Sequence, residues 1–443
     1  MKRYFGTDGI RGVAGDMPMT AGFALHVGVA LAEVLTDGQV DVLVACDTRR
    51  SSDMLVHALA AGLTSRGANV RLLGVLPTPA VSYLTRTTDA AAGVVISASH
   101  NPFAQNGIKV FQGNGKKLSD KLEHAIEDAI EKAIEANGEA TPPVIGSRIG
   151  RSDFAEGLRE QYLESLLADA PDLAGMSIAL DCANGAAFES APYVFRALGA
   201  DVTVINDAPN GNNINVDCGS THPQVLQTFV QEGQFDVGIT FDGDADRALL
   251  VDRQGRLITG DHILALCALA RKETTVVSTL MANLGLEHFL EARGMNLLRT
   301  QVGDRYVYEA LEAQKLTLGG EQSGHVLFLD RAPTGDGVLT ALQTLAAVNA
   351  LGEPLEHWVD ALTLYPQTLV NVPVDANLKA HIAEHDMVKA ALQQAEADLE
   401  GWGRINVRPS GTEPLVRVMV EGSDAERMTQ IAERVAAAVA RVA

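Results

Sequence analysis

Short apolar runs recur along this chain, each ending in a polar, often glycine-bearing loop and followed by residues at helical spacing. In the first third, 40–45, 70–75 and the run Val94-Val95-Ile96 read as strands, the last driving into Ser97-Ala98-Ser99-His100-Asn101-Pro102. Between them, helices are expected from Thr20 to about Leu35, over 53–66 and from Pro77 to about Arg86. Leu122, Ile126, Ala129, Ile130, Ala133 and Ile134 share one helical face and predict a long helix after Ser119. Residues 4–12, Tyr-Phe-Gly-Thr-Asp-Gly-Ile-Arg-Gly, carry three glycines and read as a loop displaying Arg11.

The theme repeats twice. In the second segment a helix over 153–169 leads to strands at 176–181 and 201–205, a polar loop at 206–222, and a strand from Asp236 that delivers Asp242-Gly243-Asp244-Ala245-Asp246-Arg247. In the third, a helix (261–272) is followed by strands at 274–278 and 295–300, a helix (304–314), and a strand ending in Gly319-Gly320-Glu321-Gln322-Ser323-Gly324-His325. From Tyr365-Pro366 the order changes: strand 368–374, helix 376–398, strand 402–407, the loop Arg408-Pro409-Ser410-Gly411-Thr412-Glu413-Pro414, strand 415–421 and an Ala-rich helix. Strands alternating with helices imply mainly parallel sheets, whose ligands sit beyond the carboxyl ends of the strands. The expectation is an α/β chain of three similar domains with mixed, mainly parallel sheets, plus a smaller C-terminal α+β domain, around a central cleft. Boundaries are expected at 1–150, 151–252, 253–364 and 365–443, where Gly/Pro-rich or turn-like stretches interrupt the pattern.

A chain of 443 residues exceeds what one core serves, in keeping with several domains. Its net charge of −21 argues against nucleic acid and anionic membrane as partners, but leaves an anionic small molecule open if cations gather locally. The four cysteines form no Cys-x-x-Cys pair. Three lie in or beside apolar runs, while Cys218, in a Gly/Asn-rich stretch, is the candidate for exposure. No stretch has the length of a membrane span or the make-up of a secretion signal, so a cytoplasmic protein is expected.

Four loops can carry chemistry. Ser99 closes a β-branched run beside an imidazole, which suits a phosphoryl carrier or a plain strand-to-loop turn. Asp242, Asp244 and Asp246 alternate with small residues, so their carboxylates converge and call for a divalent cation; all-oxygen ligation favours Mg²⁺ over Zn²⁺. Arg247 beside them can neutralise a phosphoryl group. Arg408, Ser410 and Thr412, with the backbone N–H groups around Gly411 and with Arg417 on the next strand, can form an anion nest; the alternative is a hairpin with a structural ion pair. Glu321, Ser323 and His325 offer an acceptor, a hydroxyl and an imidazole at alternate positions, suited to sugar hydroxyls or to capping a strand end. Asp304, opening a helix, is accounted for by an N-cap role.

Ser-Ala-Ser-His-Asn-Pro, Asp-Gly-Asp-Ala-Asp-Arg, Gly-Glu-Gln-Ser-Gly-His and Arg-Pro-Ser-Gly-Thr-Glu-Pro, in this order across the whole chain, resemble the α-D-phosphohexomutase superfamily. The resemblance implies a phosphoserine at Ser99, required for activity, and one Mg²⁺ held by Asp242, Asp244 and Asp246 beside that phosphate. It implies Arg247, Glu321, Ser323 and His325 on the sugar side, and Arg408, Ser410, Gly411, Thr412 and Arg417 on the substrate's own phosphate. Lys109 matches a position associated with proton transfer, with His100 and Arg11 as helpers. The opening Tyr-Phe-Gly-Thr-Asp-Gly-Ile-Arg-Gly and Gln322 resemble the branch acting on amino sugars. That implies a hexosamine phosphate substrate, interconversion of glucosamine 6-phosphate and glucosamine 1-phosphate through the 1,6-bisphosphate, a place on the way to UDP-N-acetylglucosamine and the cell wall, and a monomer or homodimer. Phosphomannomutase or phosphoglucomutase activity with the same machinery, and a non-catalytic sugar-phosphate-binding protein, are the alternatives.

Overall fold

The computed structural model describes residues 3–35, 39–136, 144–375, 378–379, 381–410 and 415–442. Four sheets follow one another along the chain. The first has seven strands in the order Phe5–Gly6, Gly9–Val13, Gln105–Gln112, Ala92–Ile96, Asp41–Cys46, Asn69–Val75, Ser152–Phe154. Its last four strands run parallel, and Gln105–Gln112 pairs antiparallel with Ala92–Ile96. The second sheet, ordered Leu257–Ile258, Ala248–Asp252, Val237–Phe241, Ser177–Asp181, Asp201–Ile205, has three parallel strands and an antiparallel return. The third, Asn296–Thr300, Thr275–Thr279, Leu318–Gly320, Val326–Phe328, repeats that arrangement. The fourth is a fully antiparallel sheet of Gln367–Pro373, Leu415–Gly422 and Gly403–Pro409, backed by helices Asp386–Leu399 and Ala425–Ala440.

The three α/β units thus share one device: the last parallel strand is joined by a short polar loop to an antiparallel neighbour. These joints are the Ser99, Asp242 and Glu321 loops. The strands leading in are buried on both faces, so Ala92–Ile96 and Val237–Phe241 are continuous apolar runs. One apolar core runs through all three units, from Leu43 and Val95 through Leu180 and Phe241 to Leu264, Val276 and Leu342, and the first unit has a second core of its own built on Phe23, Leu31, Leu59, Val94 and Ile130. The fourth unit has its own core, built on Val388, Val418, Ile431 and Val435.

Several expectations change. Residues 5–13 form two paired strands, not a loop: Gly9, at φ +81°, turns the hairpin, Ile10 is buried, and Arg11 lies opposite Gly107. The helix expected over 153–169 is shorter, Leu158–Leu167, because Ser152–Phe154 extends the first sheet and Gly157 (φ +79°) starts the helix late. The helix expected over 376–398 begins only at Asp386, with residues 376, 377 and 380 outside the described residues. Cys218 is buried, not exposed; its thiol is pushed up to about 12 by that burial. All four cysteines are buried free thiols. No helix among the described residues is long and apolar enough to cross a membrane.

Candidate active site

At the end of strand Ala92–Ile96 the chain turns so sharply that Ser99 adopts φ +53°, a left-handed conformation that costs a serine energy, and it does so fully buried. Arg49 is what over-determines this turn. Buried itself, it pairs with Asp47 (Nε to Oδ2, 2.8 Å) and donates to the carbonyls of Ser99 (2.8 Å), Asn101 (2.8 Å), Pro102 and Gln105 (3.0 Å). Ser97 Oγ donates to Asp47 (2.6 Å) and accepts from Ser99 N (3.0 Å). From the second unit, Asn215 Nδ2 reaches Ser99 O at 2.9 Å. None of Asp47, Arg49 or Asn215 stood out by sequence; the one signal was that the strand ending at Cys46 runs into Asp47-Thr48-Arg49.

Ser99 Oγ donates to Asp242 Oδ2 at 2.7 Å and lies 3.2 Å from His100 Nδ1. Burial and the nearby Arg247 and Arg11 bring His100 down to about 4, so its imidazole is neutral near pH 7. Asp242, Asp244 and Asp246 are all buried, and one oxygen from each lies within 4.8 Å of the others. Asp242 is raised well above the ordinary carboxylate range by burial and its two neighbours. Asp244 Oδ1 and Asp246 Oδ1 are buried with no hydrogen-bond partner. Orphaned anionic oxygens of this kind are costly unless something cationic completes them, so the residues fit a hard divalent ion.

A closed ring of alternating charge adjoins this centre. Lys109 Nζ lies 2.7 Å from Asp244, 3.4 Å from Asp246 and 3.0 Å from Asp8. Asp8 also takes Lys117 (2.7 Å) and Arg11; Lys117 reaches Asp304 (2.6 Å). His325 stands between Asp304 (3.4 Å) and Asp246 (3.5 Å), closing the ring. Burial opposes the Lys109 charge, but Asp244, Asp8 and Asp246 outweigh it and hold the ammonium firmly protonated. Asp304 is therefore more than a helix cap: Gly303 holds the N-cap position, and the Asp304 carboxylate joins the first unit to the third.

In the third loop, Glu321 Oε1 accepts from Gly303 N (3.1 Å), and Ser323 Oγ is buried without a protein partner. In the fourth unit, Arg408 and Arg417 sit directly opposite each other on adjacent strands. Like charges in that register repel, and an anion between them is the natural remedy. Burial and Arg417 lower Arg408, whose Nε is buried and unpartnered, while Glu321 lies close enough across the cleft to act the other way. Ser410 N donates to Leu415 O at 2.8 Å. Gly411 and Thr412 lie outside the described residues. The fold thus brings Ser99, His100, Lys109, Arg11, the Asp triad, Arg247 and His325 into one continuous cluster, with Glu321 linking it to Arg408.

These four units and their loops define a phosphosugar mutase. Models of the phosphoglucomutase/phosphomannomutase family match in sequence: alpha/beta/alpha domain I over residues 2–137, domain II over 160–255, domain III over 259–365 and the C-terminal domain over 369–438, and the chain belongs to this family. Within it, the chain is 54% identical to a phosphoglucosamine mutase of Deinococcus deserti, covering 99% of this chain and 98% of that protein. It is 50% identical to one from Thermus thermophilus with the same coverage. Among solved structures, a putative phosphomannomutase from Thermus thermophilus superposes with a TM-score of 0.76 at 26% identity, covering 98% of each chain. A phosphoglucomutase/phosphomannomutase family protein from Burkholderia thailandensis shares the fold with a TM-score of 0.80 at 24% identity, covering 98% of this chain and 96% of that one.

Proposed function

We propose that the chain interconverts glucosamine 6-phosphate and glucosamine 1-phosphate, with Ser99 as the phosphoryl carrier and the 1,6-bisphosphate as intermediate. The observation that carries this reading is Ser99, its backbone strained and its buried hydroxyl 2.7 Å from the first carboxylate of a triad in which Asp244 Oδ1 and Asp246 Oδ1 lack hydrogen-bond partners. Identity of 54% over essentially the full chain to a phosphoglucosamine mutase supports the amino-sugar substrate.

Asp242, Asp244 and Asp246 would hold Mg²⁺, which when bound neutralises phosphoryl charge beside Ser99. The chain's own residues do the rest by position and charge. Arg49 and Asn215 fix the Ser99 turn. The free sugar hydroxyl displaces Ser99 Oγ at phosphorus: the bond from phosphorus to Oγ breaks as the bond to the sugar oxygen forms. His100, neutral and 3.2 Å from Oγ, is placed to take the proton of the attacking sugar hydroxyl and pass it to the departing Oγ, and to run the same transfer in reverse when a phosphoryl group returns to Ser99. Lys109 and Arg247 face the transferring oxygens as fixed cations, a role that needs no reorganisation during the step. Glu321 and Ser323 read sugar hydroxyls, while Arg408 and Arg417 hold the phosphate already present. Since one carrier and one clamp must serve both ends of the sugar, the bisphosphate reorients between the two transfers. The chain carries −21 overall, yet Arg11, Lys109, Lys117, Arg247, Arg408 and Arg417 lie at or beside these loops. Its buried free thiols suit a cytoplasmic setting.

The test is turnover of glucosamine, glucose and mannose phosphates, read beside the intact mass of the protein. Glucosamine phosphate should be turned over best, a phosphoryl adduct should be lost in Ser99→Ala, and chelation should stop turnover until Mg²⁺ is restored. Normal turnover by Ser99→Ala would sink the assignment.

A further inference from the structure

Residues 321–325 turn the chain from strand Leu318–Gly320 back into strand Val326–Phe328: Glu321 N donates to His325 O at 2.9 Å and Gly324 N to Glu321 O at 3.0 Å. Gln322 does not face the sugar side. Its Nε2 donates to Asp261 Oδ2 at 3.0 Å, and its backbone oxygen accepts from Gly260 N at 3.0 Å. Gly260 is pressed so closely onto Glu321 O that a Cβ there would lie 1.9 Å from it. The first turn of helix Gly260–Arg271 therefore grips the loop from behind.

Asp261 is fully buried, and its second oxygen accepts from Asn283 N at 3.2 Å. Asn283, also buried, spends both ends of its amide on one residue: Oδ1 accepts from Tyr365 N (2.9 Å) and Nδ2 donates to Tyr365 O (2.9 Å). Tyr365 begins the linker into the fourth unit. One residue on, Leu284 N donates to Glu421 Oε1 (3.1 Å) of the fourth sheet, and Arg404 of that sheet pairs with Glu421 and donates to Leu280 O (2.9 Å) and Ala282 O. A carboxylate is an unusual thing to bury with only neutral partners, because burial disfavours its charge. Here it touches both the sugar-reading loop, at Gln322, and the segment bonded to the linker, at Asn283.

We propose that Asp261 is a positioning residue that fastens the 321–325 loop, through Asn283, to the linker at Tyr365, so that the place of the loop reading the sugar is set from the point where the unit holding its phosphate is attached. This rests on the sugar and phosphate roles proposed above, but the tie itself is a property of the free protein. Ionised, Asp261 accepts from both sides; protonated, one oxygen becomes a donor and must give up a partner. Burial raises this carboxyl to about 7, against the opposing hydrogen bonds from Asn283 and Gln322. The charged groups facing it are Glu421 of strand Leu415–Gly422, which raises it, and Arg299 of strand Asn296–Thr300, which lowers it. The tie is therefore tighter above pH 7 than below.

Hydrogen exchange of the free protein tests this with wild type, Asp261→Asn and Gln322→Met. Gln322 does not touch the linker, so in Gln322→Met the amides of Tyr365 and Leu284 should nonetheless exchange about five- to ten-fold faster, the loss expected from one hydrogen bond to a buried charge. In wild type, Tyr365 protection, corrected for intrinsic exchange, should fall between pH 8 and pH 6, and Asp261→Asn should flatten that change. In steady state, both variants should raise KM for glucosamine 6-phosphate about ten-fold with kcat within about threefold. Loosening confined to 321–325 in Gln322→Met, with Tyr365 unchanged, overturns the proposal even if the protein turns over glucosamine phosphate. If Asp261→Asn does not fold, the Gln322→Met result alone decides. Because exchange is read without substrate, a failed tie and a failed function are told apart.

Discussion

Gly243, between the first two triad carboxylates, is the most informative residue to change. A Cβ there would lie 2.5 Å from Ser99 O, 2.8 Å from Asn215 Nδ2 and 3.0 Å from the tip of Ile214, whereas ordinary contact begins near 3.4 Å. Gly243→Ala must therefore open the gap to Ser99 O by about 0.9 Å. The carbonyl cannot yield cheaply, since Arg49 and Asn215 both hold it. The triad loop cannot retreat freely either, because Ala186 N donates to Gly243 O (2.8 Å) and Gly185 packs against the same peptide. Overpacking of this kind costs about 1–3 kcal/mol of stability. The larger effect is on geometry: a displacement near 1 Å between reacting groups costs roughly 100-fold in rate. We expect Gly243→Ala to stay folded, with kcat down about 30- to 100-fold and a reduced phosphoserine fraction by intact mass. Gly22→Ala is the control. Gly22 meets nothing within 4 Å in helix Ala21–Leu35, so alanine there should stabilise by about 0.5–1 kcal/mol without touching kcat. Turnover by Gly243→Ala within threefold of wild type would refute the claim that the Ser99 and Asp242 loops are held in register by backbone contact.

Arg408→Ala removes one of two facing guanidiniums and should weaken substrate binding by about 1.5–3 kcal/mol, the worth of a charged hydrogen bond; an unchanged affinity by titration calorimetry removes it from the clamp. Lys117→Met and Asp304→Asn, partners at 2.6 Å across two units, should each lower kcat/KM, and the double-mutant cycle should show a coupling of about 1–2 kcal/mol; strict additivity would mean the ring does not act as a unit. His262, buried in the capping box that starts helix Gly260–Arg271, is held down to about 4 chiefly by burial. The unfolded chain then binds more protons between about pH 6.5 and pH 4, so stability falls as pH drops through that window, by about 2 kcal/mol at pH 5. Between pH 7 and pH 5 the unfolding free energy of wild type should fall by about 2 kcal/mol more than that of His262→Gln, which keeps the loss due to His100.

The alternation of apolar runs and helical faces was enough to place three α/β units and a different fourth, because strands buried on both faces leave a period that needs no partner to be read. The chemistry was legible for a related reason: Ser99, the Asp triad and Glu321 fall in loops directly after such strands, and Arg408 falls near the end of strand Gly403–Pro409. What stayed hidden depends on contacts far apart in sequence. Residues 4–12 read as a loop because the partner of strand Gly9–Val13, Gln105–Gln112, lies nearly a hundred residues on. Asp304 looked like a cap because Lys117 and His325 are in other elements. Arg49 and Asn215 carry no motif of their own; their role exists only once Ser99 O lies between them.

The division of apolar cores has a consequence for how the molecule comes apart. The first three units all contribute to one shared core and should melt as a single cooperative block, whereas the fourth has no part in that core and can lose structure separately. Its connections to the block are chiefly polar: Arg404, Glu421 and the linker at Tyr365. Calorimetry on the free protein should then show two transitions, the smaller one belonging to residues 365–443. A ligand that bridges block and appendage adds its binding energy to the weaker partner, so it should draw the two transitions together before it raises the larger one.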